Sequence, residues 1–111
     1  MRTHFADKLE KLQTRVLDGP GVLESSRRRI AFEGGPLGDD LADRYVRTIH
    51  HSAYQLTERD IEELRRAGWT EDQIFELSIS AALGAARQRL DAGLRAVEAA
   101  RTPPVPADEE A

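Results

Sequence analysis

The chain has no cysteine and few aromatic residues, and both shortages limit what it can do. Without a thiol it can form no disulfide, no thiolate metal site, no cysteine nucleophile and no thiol redox centre. Aromatic residues make up only 5% of the sequence, so a core must be built mainly from aliphatic side chains and alanine. A core of this kind often recruits a second subunit.

Long apolar runs and a net positive charge are also missing. No run approaches the roughly 18–20 apolar residues that span a bilayer, and the first residues lead into no signal-type apolar region. The 16 basic and 20 acidic residues give a net charge of −4, which argues against a dedicated nucleic-acid or anionic-membrane surface. We therefore expect a soluble, cytoplasmic protein with no nucleic-acid and no membrane partner.

The 111 residues predict a small all-α bundle of about five helices. Apolar residues recur at helical spacing, and no segment alternates with period two for long enough to indicate a strand. We expect one helical domain over residues 1–101 and a disordered, acidic, proline-containing tail over residues 102–111. The expected helices cover roughly residues 5–18, 23–32, 40–53, 58–67 and 71–100.

The clearest start and stop signals belong to the fourth and fifth helices. Thr57 with Asp60 is a variant of the capping box, and Gly68 is suited to the left-handed position that follows a helix. Thr70 with Gln73 is a full capping box that opens the fifth helix. Two abutting helices are therefore predicted over residues 56–90.

The fifth helix has no charged residue between Leu77 and Ala86, and its residues there are apolar or small all the way round. A helix that is apolar on every side must be covered on every side. Four short helices of one small chain would struggle to cover it, and small residues let another backbone approach closely. We therefore predict a homo-oligomer built on this helix. The alternative is a central helix that a single chain covers fully.

Several residues of this region carry a family resemblance. A helix that ends in Arg-Ala-Gly is followed by a capped start, a long alanine-rich helix and a late Arg-Leu, and together they resemble the alkylhydroperoxidase D/carboxymuconolactone decarboxylase superfamily. The resemblance implies an all-α domain that assembles as dimers, trimers or hexamers. The residues that carry it are Leu56-Thr57, Asp60-Ile61, Leu64-Arg65-Arg66-Ala67-Gly68, Gln73-Ile74, Ala81-Ala82 and Arg89-Leu90.

The peroxidase activity of that superfamily does not transfer to this chain. Peroxidase members carry a Cys-x-x-Cys with a nearby histidine in the helix before the matching glycine. Here Ala53 and Leu56 stand at about the two cysteine positions, and Asp60 stands where the histidine would be. Thiol peroxidase activity is therefore excluded. The chain is more similar to the cysteine-free half or repeat of larger members.

His50, Tyr54 and Arg89 are the candidate catalytic residues. His50 borders the apolar face of the third helix with Tyr54 one turn beyond, and a histidine there suits a general base. The adjacent His51 points about 100° away, and no third ligand completes a site, so we expect neither a metal nor another cofactor. The alternative is one hydrogen-bonded histidine at the core boundary and one solvated histidine.

Two sets of arginines are candidate binding residues. Arg89 projects close to the apolar face of the fifth helix, which suits either a carboxylate-binding role or a buried ion pair, with Glu76 as the nearest acid on that helix. Arg27, Arg28 and Arg29 are expected to form a solvated helix face rather than a phosphate-binding patch. A DNA-binding helix-turn-helix is rejected, because its second helix would open with two acids.

Three functions follow from these observations. The first is a non-catalytic homo-oligomeric helical protein of this superfamily that serves as an interaction or accessory module. The second is a cysteine-free enzyme in which an intersubunit pocket uses His50, Tyr54 and Arg89 for proton transfer on a small acid or lactone. The third is a module that binds a small apolar ligand inside the bundle.

Overall fold

The computed structural model describes residues 4–101, and within them all regular structure is helical. The prediction of a small all-α bundle with a long C-terminal helix is confirmed. The proposed tail at residues 102–111 lies outside the described residues. The helices are α1 (His4–Asp18), α2 (Ser25–Glu33), α3 (Asp40–Ser52), a 3-10 turn (Ala53–Gln55), α4 (Glu58–Arg66) and α5 (Glu71–Arg101).

One side of α5 forms the centre of the core. Leu77 and Ala81 are fully buried there against α2 and α3, and Trp69 and Leu64 close the end nearest α4. The core is aliphatic and alanine-rich, as its composition predicts. Its buried members are Leu23, Ala31, Ala42, Tyr45, Val46, Ile49, Leu64, Trp69, Ile74, Leu77 and Ala81.

Gly84 lets α2 dock directly onto α5. A Cβ placed at Gly84 would overlap the carbonyl oxygen of Phe32 and lie 2.8 Å from its Cα, which is closer than real Cβ contacts. The small residues of α5 were expected to admit another backbone. At Gly84 that backbone belongs to the same chain, so this part of the small-residue stretch is used within one copy.

The local signals at the start of α4 and α5 form as predicted. The Thr57 amide donates to the Asp60 carboxylate at 2.9 Å, and Gly68 takes a positive φ of 103° after α4. At α5 the Thr70 amide donates to the Gln73 side-chain oxygen at 3.0 Å, while the Gln73 amide donates to the Thr70 hydroxyl at 3.1 Å. Both helix directions are thus set by residues within one turn of the helix start.

Asp39 caps α3 and ties it to the core. Its carboxylate accepts hydrogen bonds from the amides of Leu41 and Ala42 at 3.1 and 3.2 Å, and from the Trp69 indole N–H at 3.2 Å. The Ala42 amide, followed by the Trp69 indole and the Leu41 amide, lowers the pKa of Asp39. The charged carboxylate is therefore the form that the fold stabilises.

We expect this pKa difference to make part of the stability depend on pH. The folded-state pKa of Asp39 lies below its unfolded value of about 4, so the contribution is complete above that value and is lost as pH falls through the folded-state pKa. Asp39→Asn keeps a cap acceptor but cannot titrate, so its deficit relative to the parent protein should shrink between pH 5 and pH 2. Asp39→Ala cannot titrate either, so its deficit should shrink over the same range, and it should lose about 1 kcal/mol of cap energy in addition. Urea unfolding across that pH range would measure both, and a deficit of Asp39→Asn that is independent of pH would contradict the assignment.

Candidate functional site

His50 is buried and engaged by its own chain. Its side chain lies at the end of α3 with 5% of the residue exposed, and its Nε2 donates to the Ala31 carbonyl oxygen at 2.9 Å. That carbonyl lies in the last turn of α2 and also accepts a hydrogen bond from the Gly34 amide at 3.1 Å. A Cβ added at Gly34 would lie 3.9 Å from the imidazole ring, so the ring lies beside this glycine. His50 therefore joins the end of α2 to α3, while His51 is exposed.

Arg89 meets His50, but at the backbone. Its Nη2 donates to the His50 carbonyl oxygen at 2.9 Å, which supplies a donor to the last turn of α3. Arg89 is otherwise exposed, so it is not the buried ion pair that the sequence suggested. This contact joins α5 to the end of α3. It does not involve the imidazole of His50, which bonds to the Ala31 carbonyl instead.

Tyr54 lies apart from these two residues. The regular part of α3 ends at Ser52, and Tyr54 belongs to the 3-10 turn with 86% of the residue exposed. Three cavities of about 670, 240 and 260 Å³ occur elsewhere, and none is lined by His50, Tyr54 or Arg89. The structure thus brings two of the three candidates together through a peptide carbonyl and leaves the third at the surface.

Arg27, Arg28 and Arg29 each have a specific partner, which corrects the expectation of a solvated face. Arg27 lies over the Trp69 ring, with its guanidinium carbon 5.2 Å from the ring centre. Arg29 pairs with Asp18, and the Ser25 hydroxyl and the Arg29 guanidinium together lower the pKa of that carboxyl. Only Arg28, the middle residue, is buried.

Glu76 also has a partner that sequence reasoning missed. Its two carboxylate oxygens accept hydrogen bonds from the Val22 amide at 2.9 Å and the Leu23 amide at 3.0 Å. Glu76 therefore binds the loop before α2 and does not pair with Arg89. A Cβ at Gly21 would collide with this carboxylate. Gly21 is the one residue whose type reflects this contact between Glu76 and the loop. In the sequence, however, a glycine at that position predicts only a turn.

The most distinctive surface is the side of α5 that faces away from the core. Phe75 is 63% exposed and Ile79 36% exposed, although both belong to the helix that carries the buried core residues Leu77 and Ala81. At about 100° per residue, the two sets lie on roughly opposite sides of α5. We call the outward side the open face, and it consists of Phe75, Ile79, Ala82, Ala86, Gly93 and Val97.

The charged residues beside the open face are held by their own chain. Arg87 donates to Asp91 at 3.1 Å and to the Gln13 side chain at 3.2 Å, and Arg89 reaches the His50 carbonyl as described above. Glu76 is similarly bound to the loop before α2. The open face is therefore an apolar strip that Arg89 interrupts between Ala86 and Gly93, with its guanidinium drawn to one side by the His50 carbonyl.

Among residues 4–101, no three His, Asp or Glu side chains cluster so that they could hold a metal ion. Within the same residues, no helix has the length and apolar character needed to cross a bilayer.

Comparison of the chain with protein-family models, with curated proteins and with solved structures gives no match. The resemblance to the alkylhydroperoxidase D/carboxymuconolactone decarboxylase superfamily therefore stays a prediction.

Proposed function

We propose that this chain is a non-catalytic, homo-oligomeric helical protein that serves as an interaction or accessory module, and that its copies associate through the open face of α5. The observation that carries the proposal is the second apolar side of α5, opposite the side that builds the core. Large exposed apolar strips are typical of protein–protein contacts. Membership of the superfamily named above and a cytoplasmic location belong to the same proposal.

The contacts of the candidate catalytic residues favour this function over the two alternatives. An acid–base enzyme needs an imidazole that a substrate can reach, whereas that of His50 is buried, donates to the Ala31 carbonyl and lines none of the three cavities. An apolar-ligand module needs an apolar cavity, whereas the cavity of about 670 Å³ is lined largely by charged side chains of α1. The cavity of about 260 Å³ lies beside Phe75 and Ile79, but two arginines and a glutamate share its lining.

The proposal predicts that Phe75→Lys disrupts the assembly without unfolding the chain. A lysine within an apolar contact would have to lose its hydration, so the dissociation constant should rise by about 100-fold or more. Size-exclusion chromatography with light scattering at tens of micromolar should give a multiple of 12.4 kDa for the parent protein and 12.4 kDa for the variant.

Tyr54→Lys is the matched control for that experiment. Tyr54 is even more exposed than Phe75 but lies away from α5, so its replacement should leave the oligomer intact. Far-ultraviolet circular dichroism should show unchanged helix content in both variants. A parent protein that remains strictly monomeric at these concentrations would overturn the proposed function.

A further inference from the structure

Nothing in its own chain requires a glycine at position 93. It lies well inside α5, where glycine is less favourable than alanine because it gives the unfolded backbone more freedom. A Cβ added at Gly93 would meet no atom within 4 Å, in contrast to Gly84 on the same helix. A glycine on an open helix surface leaves a shallow gap that a side chain from another helix can fill.

The position of Gly93 matches that of the largest residue on the open face. Phe75 and Gly93 are 18 residues apart, which is about five full turns, so they lie on one line along α5. Ala82 and Ala86 lie between them on the same side. Both pairs are centred at the level of residue 84 along the helix. A two-fold axis that crosses the open face at this level would set Ala82 opposite Ala86 of a second copy, and Phe75 opposite its Gly93.

The charges of α5 agree with that antiparallel direction. The first turn carries Glu71 and Asp72, and the last turn carries Arg101. About the same axis, the acidic end of one helix lies within about 8 Å, along the helix, of the basic end of the other. Antiparallel helix dipoles also attract, whereas a parallel pair would set like charges beside each other.

We infer that two copies pair through α5 as an isologous antiparallel dimer, with Phe75 of each copy seated over Gly93 of the other. This inference depends on the self-association proposed above and adds its direction, register and copy number. Alanines at the centre allow an interaxial distance of about 8 Å. Helix α1 lies beside α5 through the Gln13–Arg87 contact, so α1 of each copy would lie next to the α5 pair.

Disulfide trapping tests the direction and the register, since the chain has no native cysteine. Ala82→Cys and Ala86→Cys are prepared separately, then oxidised mildly, either alone or mixed in equal amounts. In the inferred dimer each residue faces the other type, so the mixture should form linked dimers at least tenfold faster than either variant alone. A mixture of Arg59→Cys with Ala82→Cys gives the rate of random collision, because Arg59 is exposed and belongs to α4, outside the open face.

The outcomes separate this inference from the proposed function. Self-linking of Ala82→Cys alone that is as fast as linking in the mixture would indicate a parallel pair. Linking only at the random rate, in protein that light scattering shows to be oligomeric, would indicate another surface. Either result overturns the inferred register while self-association stands, whereas a strict monomer overturns both.

A second variant tests the seat for Phe75 directly. Gly93→Leu should fill the gap and raise the dimer dissociation constant at least tenfold, as measured by sedimentation equilibrium. Ala92→Leu adds the same side chain at the neighbouring exposed position, which points away from the open face, and should leave the constant unchanged. Equal effects of the two variants would contradict the contact between Phe75 and Gly93.

Discussion

Gly84→Ala is expected to lower the free energy of unfolding by about 3 kcal/mol or more, with a fall in Tm of roughly 15 °C. The added methyl group would overlap the Phe32 carbonyl, which is backbone and cannot turn aside as a side chain could. To admit it, α2 must move off α5, and this movement separates Ala31 and Leu23 from the core. The better helix propensity of alanine offsets only about 1 kcal/mol of that loss.

Gly93→Ala is the matched control for this prediction. The substitution is the same and lies on the same helix, but the new methyl group meets no atom of its own chain. In dilute protein, where association is negligible, it should raise the free energy of unfolding by about 0.5–1 kcal/mol. Urea unfolding of both variants would show opposite signs. Equal losses would mean that α2 does not dock at Gly84.

The elements that the sequence predicts well are those whose signals and partners lie within one turn. Thr70 and Gln73 bond to each other, and Asp39 bonds to the amides two and three residues further on. Gly68 follows the same logic, because its positive φ depends on the end of one helix only. Helix directions and bounds could therefore be predicted closely without any knowledge of the tertiary packing.

The contacts that sequence reasoning missed join distant segments. Glu76 bonds to amides more than 50 residues away, and nothing near it in sequence indicates that loop. The same holds for the apolar stretch of α5. Its composition predicts that every side of the helix should be buried. Which side is buried within one copy depends on the docking of α2 at Gly84, which the composition does not reveal.

The candidate site was predicted in part for a related reason. A histidine at the core boundary of α3 is indicated by helical spacing, and His50 is found there. Its partner, the Ala31 carbonyl, is a backbone group, which no pattern of side chains can reveal. Tyr54 was placed on the same helix, but the regular helix ends at Ser52 and the following 3-10 turn alters its direction.

Arg28→Met is expected to cost about 3 kcal/mol of stability. The guanidinium is 5% exposed and donates three hydrogen bonds of 2.8 Å, to the carbonyl oxygens of Val16, Gly19 and Leu23. Val16 lies in the last turn of α1, so Arg28 satisfies carbonyls that the helix leaves open and places its positive charge at the negative end of the helix dipole. Methionine fills similar space but leaves these carbonyls without a donor, and each unsatisfied buried group costs about 1–3 kcal/mol.

Arg29 provides a control that separates the effect of the three Arg28 hydrogen bonds from the effect of its charge. Arg29→Met removes the same charge but breaks only an exposed pair with Asp18, so it should cost less than about 1 kcal/mol. Arg28→Lys keeps the charge yet cannot direct donors to three carbonyls at once, so it should lose most of the stability that Arg28→Met loses. Chemical unfolding of the three variants would measure these differences in the free energy of unfolding. A fully stable Arg28→Lys would mean that the charge at the end of α1, and not the fork of donors, is what holds α1 to the rest of the fold.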